Sequence, residues 1–436
     1  MKFKALAAVC LALGNGGALL FACGGDDTTF GADAGGPDGS YVDSPAVLDA
    51  TPREASADAA PTPPWMLLSL NYSARSEMAA YSISGRRVDG TFAYPGKIGA
   101  TFLQGATPYL MEQDKDLIVK LDPTAPWKAG GSWNVALDDT YDGGKAYADP
   151  VAVIAVPGNK AYVLRFNRNK IAVINTAQSL DAATPTSSID LSSYLVPTDK
   201  DGHVDMTAAV YVAAKQRVYV LLGNFDLTNT DPMGFYTLCG ATKPIVIAID
   251  VNTDTIVPFG DAGVGGIRTN GFNPVSMFYD APRDRLLMVS AGCNNLLPGD
   301  AGVGDVAQRQ IDDLVLTTGT TSTVLDLKTK DFPAAFAILD ADHVAIGFRY
   351  GAGDETRIWD VTTALLGATI PRAPDVFAYD GKGSLLGPST QYLSDGGSTS
   401  SLVSVAVADG GVTPLGPVPF TSQPSFAGGV DLWPAP

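Results

Sequence analysis

The sequence predicts an all-β fold, a seven-bladed β-propeller with four-stranded antiparallel blades, behind a targeting segment and a disordered linker. Three observations predict it. From Trp65 onward the chain is written in short β-rich runs separated by turn residues, and no segment keeps a helical period over three turns. A β-run closing on a small polar or acidic residue recurs seven times, at 79–84, 117–122, 171–175, 245–250, 313–317, 356–360 and 402–406. Around most copies stand further runs, so that each unit reads as four strands of about 53 residues in all, the signature of a radial repeat. Six or eight blades are the alternatives.

Taken in order, residues 1–22 read as a signal peptide. Lys2 and Lys4 precede an apolar run at 5–13, Gly14, Gly16 and Gly17 interrupt it, and Leu20-Phe21-Ala22-Cys23 closes it. The stretch 5–22 only reaches the short limit of the ~20 apolar residues that span a bilayer. Residues 20–23 resemble the lipobox of bacterial lipoproteins. The resemblance implies cleavage before Cys23, a thioether-linked diacylglycerol on Cys23 and acylation of its new amine. Gly24, where an aspartate is associated with inner-membrane retention, implies the outer membrane. The expected location is the bacterial cell envelope, with the membrane as a partner through the lipid.

Residues 23–64 form the second unit. They are built from Gly, Ala, Asp, Ser, Thr and Pro with few large apolar side chains, a composition too poor in burial to offset ordering. The expectation is a disordered acidic tether of roughly 35 Å or more. Its Asp/Gly/Ala texture resembles lipoproteins of myxobacteria.

Residues 65–436 form the propeller. Second strands are read at 160–164, 217–221, 285–289 and 343–346. Inner strands are read at 151–156, 208–212, 275–279 and 334–338, and outer strands at 187–191 and 323–327. The chain opens at 65–70 with no inner strand before it, so the run at 430–433 is expected to complete blade one. Pro157-Gly158-Asn159-Lys160-Ala161-Tyr162-Val163 followed by Ile171-Ala172-Val173-Ile174-Asn175-Thr176 resembles the YVTN-type (quinoprotein-dehydrogenase-like) repeat of bacterial propellers. That resemblance speaks to how a blade is built, not to an activity. A WD-type reading has only Trp359-Asp360 behind it.

Composition narrows the function classes. The chain carries a net charge of −17 from 29 basic and 46 acidic residues, which repels phosphate backbones, so nucleic acid is not an expected partner. Only two histidines occur, His203 and His343, and no metalloprotease, haem, phosphate-loop or nucleophile-elbow motif is present. His343 reads as structural. In Asp199-Lys200-Asp201-Gly202-His203-Val204-Asp205 the alternating carboxylates Asp199, Asp201 and Asp205 could gather a hard cation. Calcium is the one cofactor the sequence offers, against a solvated acidic turn.

Strand order fixes which loops share a face. One-to-two and three-to-four turns lie on one face, and two-to-three loops with blade-to-blade crossings lie on the other. The turns of the first face are short. The segments 138–149, 192–206, 223–244, 260–273 and 291–312 are long and are assigned to the second. Long loops on a rigid scaffold are where binding resides. Cys239 and Cys293 fall in the two longest, in adjacent blades, and in an oxidising compartment they are expected to pair; two free thiols are the alternative. The expected contact residues are His203, Phe225, Asp226, Phe235, Tyr236, Asn294 and Asn295. The leading expectation is a monomeric, non-catalytic module that binds a protein or glycan through this face. The rivals are a calcium-dependent hydrolase or lactonase and a purely structural envelope protein.

Overall fold

In the computed structural model seven four-stranded antiparallel sheets stand in a ring. The structure describes residues 64–433 except 72–75, 95–97, 105–106, 137–146, 179–182, 198–199, 227–237, 240–242, 260–264, 295–305, 329, 331, 350–354, 393–397 and 418–428. The signal peptide, the lipobox and all of the tether but Pro64 lie outside the described residues.

Blade three shows the unit. Its strands run inner to outer as Pro150–Val156, Lys160–Arg165, Lys170–Asn175 and Ser187–Asp190. The other inner strands are Ile98–Gln104, Met206–Val212, Pro274–Asp280, Phe332–Ile338 and Ala378–Tyr379 in blades two and four to seven. Blade one takes its inner strand, Gly429–Trp433, from the C-terminal part of the chain, where it pairs with Trp65–Asn71. The ring therefore closes as the sequence suggests.

In blades two, three, four and six the polar residue that ends the third strand now has a physical role. Asp122, Asn175, Asp250 and Asp360 each accept a hydrogen bond from the backbone N–H two residues on, at 2.8–3.0 Å. Each bond bends the chain into the three-to-four turn, an Asx turn that competes with further strand. In blade three the one-to-two turn passes through Gly158 (φ 85°) and Asn159 (φ 57°), two residue types that tolerate the left-handed region.

The apolar core is distributed along the seams between blades. Ile171 and Val173 of blade three meet Val218, Val220 and Ile247 of blade four, all of them buried. At roughly 1.5–3 kcal/mol for each buried Val, Leu or Ile, every seam holds a sizeable share of the stability. Trp133 and Trp359 are wholly buried.

The short-turn face is laced from blade to blade. Lys160 donates to Asp254 at 2.6 Å and to the Val251 carbonyl at 2.5 Å. Lys215 pairs with Asp284 at 2.8 Å, and Arg283 with Asp342 at 2.5 Å. Each of these basic side chains reaches from its own blade to the next. Trp65 and Trp433 stand opposite each other on this same face, so the chain enters the ring there, away from the long loops.

Two expectations about the long segments need correction. The segment 260–273 is not simply a crossing. Ile267–Arg268 returns to pair with Ile245–Asp250 beyond Thr255–Val257, so the outer strand of blade four is split in two. The described residues 269–273 then lead from this strand to the inner strand of blade five. The segment 291–312 is not all loop either. Cys293–Asn294 and Val306–Ala307 pair as a small hairpin at its base.

Candidate functional site

The long-loop face is built on a repeated rim. In blades three, four and five the residue before the inner strand is Asp149, Asp205 or Asn273, each with φ between 47° and 56°. This residue and the one before it accept backbone hydrogen bonds from the two residues after the second strand. Phe166 and Asn167 donate to Asp149 and Ala148, Gly223 and Asn224 to Asp205 and Val204, and Ala291 and Gly292 to Asn273 and Phe272, at 2.7–3.2 Å. The register shifts at the start of each of these inner strands. Such bulges re-aim side chains at the rim of a sheet. A signal for this rim is present in the sequence as Ala148-Asp149-Pro150-Val151 and Phe272-Asn273-Pro274-Val275, with Val204-Asp205-Met206-Thr207 as the looser copy.

The rim side chains tie the loops down. The Gln113 amide donates to Asp149 at 2.6 Å, across the seam from blade two. Asp205 accepts from the Phe225 backbone N–H at 2.7 Å. The Asn273 amide donates to the Gly292 carbonyl at 2.5 Å. Asn224 is fully buried, and its amide has no hydrogen-bond partner among the described residues.

Between blades two and three the rim holds charge in a buried place. Glu112, Asp116, Asp149, Arg165 and Arg168 are all less than a tenth exposed. Arg165 donates to the carbonyls of Lys170, Val135 and Ala136, and Arg168 to that of Tyr147. Asp116 accepts from the Ala148 backbone N–H at 2.5 Å. Burial raises the Asp116 carboxyl above its ordinary value, and that hydrogen bond with the two arginines only partly opposes the rise. Burial, with Asp114 adding repulsion and Lys115 opposing, pushes Glu112 up to about 7.

A raised carboxyl binds its proton more tightly in the folded chain than in the unfolded one. The stabilisation from Glu112 is therefore complete below its unfolded value of 4.5 and is lost as pH rises through about 7. Replacing Glu112 by Gln is expected to leave the melting temperature at pH 4.5 almost unchanged. At pH 8 it is expected to raise stability by about 1–3 kcal/mol. Thermal melts of both proteins across that range check it, and parallel pH profiles would remove the effect.

In blades four and five the rim meets the disulfide. Cys239 and Cys293 are bonded, joining the two-to-three loops of neighbouring blades as expected. The ground beneath is tightly held. Asp312, fully buried, accepts from the backbone N–H groups of Asn270 and Gly271 at 3.0 and 2.5 Å. Gly271 is required there because a Cβ would collide with Ser290 Oγ. Lys243 donates to the Asn270 carbonyl at 2.7 Å and to Gln308 at 2.5 Å, and lies 5.8 Å over the Phe272 ring.

The residues singled out in the sequence divide three ways. His203 and Phe225 are on this face but buried, and Phe225 stacks 6.0 Å from Phe166, so both support the rim from beneath. Asp226 is half-buried at the mouth of its loop, and Asn294 lies in the small hairpin. Phe235, Tyr236 and Asn295 lie outside the described residues, as does Asp199 of the calcium cluster. The other two carboxylates of that cluster make backbone hydrogen bonds. Asp201 accepts from the His203 N–H at 3.0 Å in a local turn, and Asp205 is turned to Phe225. No group of three or more His, Cys, Asp or Glu side chains among the described residues is placed to hold a metal. His343, on the opposite face, pairs with Asp340 at 2.9 Å.

No family model and no curated protein sequence matches the chain. Solved structures do. A protein of Bacteroides fragilis, provisionally assigned as a 6-phosphogluconolactonase, superposes with a TM-score of 0.50 at 9% identity, over 85% of this chain and 98% of that one. Its counterpart from Bacteroides uniformis gives 0.46 at 12% identity, over 80% and 95%. A puromycin-hydrolysing peptidase of Mycobacterium tuberculosis gives 0.47 at 11% identity, over 83% of this chain and 54% of that one. The likeness is one of fold. At such identities the rim and its buried charges are properties of this chain, to be read from its own residues.

Proposed function

We propose that the protein is a binding module of the cell envelope, held by a lipid on Cys23 and engaging a protein or glycan through the long-loop face of its middle blades. The observation that carries the reading is the Cys239–Cys293 bond across two blades. The bond ties two long loops to each other at Cys239 and Cys293, beside a hydrogen-bonded rim, and so fixes that point of the face before any partner arrives. Preorganisation of this kind lowers the entropic cost of association. The opposite face has short turns locked to one another. The chain also enters on that opposite face, so a tether from Cys23 would leave the long loops pointing away from the membrane.

The test is a photo-crosslinking residue at Asp226 in cells of the native host, with a second at the exposed Thr124 on the other face as control. Crosslinks to one defined partner from position 226, lost in the Cys239→Ser/Cys293→Ser variant and absent from position 124, are the expected result. Equal products from both faces, or none from position 226, would overturn the binding face. An alkyne fatty acid should label the wild type and not Cys23→Ser; labelling of both removes the anchor.

A further inference from the structure

The short-turn face carries a feature that the long-loop reading does not use. A cleft of about 190 Å³ opens there between blades five and six. Phe278, Leu287, Val344 and Val361 line it, with Pro282 and Ile338 among the residues that complete it. Ile338 is 54% exposed, at the end of the inner strand of blade six. Leu365, 66% exposed, opens the outer strand of the same blade, Leu365–Thr369, on the same face. These are the large apolar side chains left in water among the described residues, and they share one blade and one face. Single exposed apolar residues are ordinary, but Ile338 is exposed at an apolar cleft, and Leu365 adds a second apolar side chain on the same face of the same blade.

The surroundings are acidic. Asp280, Asp313, Asp340, Asp342 and Asp360 stand around or beside the cleft, against Arg283, Arg285 and the imidazole of His343. Arg285 lies between Asp280 and Asp313, and Arg283 spans Asp280 and Asp342, so the arginines are spent on the fold. Asp340 and Asp342 remain more than half exposed. Backbone N–H groups hold the Asp340 carboxyl below its usual range, and Arg283 does the same for Asp342, so both stay charged in mildly acidic solution. The walls are rigid because Arg283 and Arg285 clamp the two blades at this point, reaching Thr362 and the Val361 carbonyl.

We propose that this cleft docks a basic, apolar segment of a partner protein. One Leu- or Phe-sized side chain enters against Phe278, Val344 and Ile338, and flanking Lys or Arg residues meet Asp340 and Asp342. Charge selects the occupant: a basic segment is attracted to this rim, whereas an anionic lipid surface or a second copy of this acidic chain is repelled. The surface is separate from the long-loop face and does not depend on the disulfide.

The test uses purified protein lacking residues 1–23 and three fluorescent peptides read by anisotropy. One carries Lys-Arg-Leu-Phe-Lys-Arg, one Glu-Asp-Leu-Phe-Glu-Asp, and one Lys-Arg-Ser-Ser-Lys-Arg. The first alone is expected to bind, with affinity falling as salt is raised. Ile338→Lys should weaken it at least tenfold and Asp340→Asn about threefold. The Cys239→Ser/Cys293→Ser variant should bind as the wild type does. Ile338 is largely exposed, so its substitution is expected to leave the melting temperature in place, and Leu365→Ser provides a second, milder variant. No binding of the first peptide at millimolar concentration overturns the proposal, as does equal binding of the acidic peptide or full binding by Ile338→Lys. Self-association, or sedimentation with phosphatidylglycerol vesicles, that Ile338→Lys abolishes would assign the cleft to a second copy or to lipid and overturn it equally.

Discussion

A chain ending at Pro417 is expected to lose the single cooperative unfolding transition of the full-length protein. The missing piece includes Gly429–Trp433, the inner strand of blade one. Val430, Leu432 and Trp433 are buried there, and Val430 and Leu432 belong to the apolar seam between blades seven and one. At about 1.5–3 kcal/mol for each aliphatic side chain and more for the tryptophan, apolar burial alone contributes roughly 5–9 kcal/mol. Typical total stabilities are about 5–15 kcal/mol, so the truncated ring should open or aggregate. The strand 65–71 would be left with an unpaired edge, a template for another chain. A synthetic peptide of residues 425–436 added in trans should restore some of the transition by filling that edge. Calorimetry of the truncated chain with and without the peptide is the measurement. An unchanged transition without the peptide would show that closure contributes little.

The second large effect is expected from removing the disulfide. Cys239 and Cys293 are 54 residues apart, and closing a loop of that length lowers the entropy of the unfolded chain by an amount worth about 4 kcal/mol. The Cys239→Ser/Cys293→Ser variant should melt about 5 °C lower than the oxidised wild type, because a domain of this size has a large unfolding entropy. Reduction of the wild type should produce the same fall. Hydrogen exchange should report the loss first in Ile245–Asp250 and Gln310–Val315, the strands that follow the tied loops. A melting temperature indifferent to reduction would mean that the rim alone holds the loops.

Much of the architecture was legible because blades repeat a local rule. A β-run ending in Asp or Asn turns into its hairpin through one side-chain hydrogen bond, and Asp250 or Asp360 announces that turn without any knowledge of the ring. Where the local rule fades, so does the reading. The inner strand of blade seven is Ala378–Tyr379, two residues long, too short for any periodicity to mark. The split outer strand of blade four was hidden because Gly260-Asp261-Ala262-Gly263 has linker composition, while Ile267 and Arg268 rejoin the sheet only through tertiary pairing.

The long-loop face was legible in outline and not in content. Counting strands places Cys239 and Cys293 together, since each two-to-three loop must lie on the same side. The charged seam of Glu112, Asp116, Asp149 and Arg165 was not legible. Charged residues at strand ends ordinarily face water, and only the neighbouring blade removes them from it. Phe225 misleads in the opposite sense, because an aromatic residue in a long loop suggests a contact surface while its ring lies on Phe166.

The way the first blade is assembled also decides how the molecule would bear a load. Trp65–Asn71 is gripped on both sides, by five residue pairs with Gly429–Trp433 and seven with Ser76–Ser82. Tension arriving through the preceding segment pulls this strand along its own length. Its lateral hydrogen bonds are then loaded together in shear instead of being unzipped singly. If the proposed lipid anchor holds the chain from its N-terminal side, drag would meet the propeller at a mechanically resistant point. The strand on which the ring closes, Trp65–Asn71, is also the strand that takes the strain.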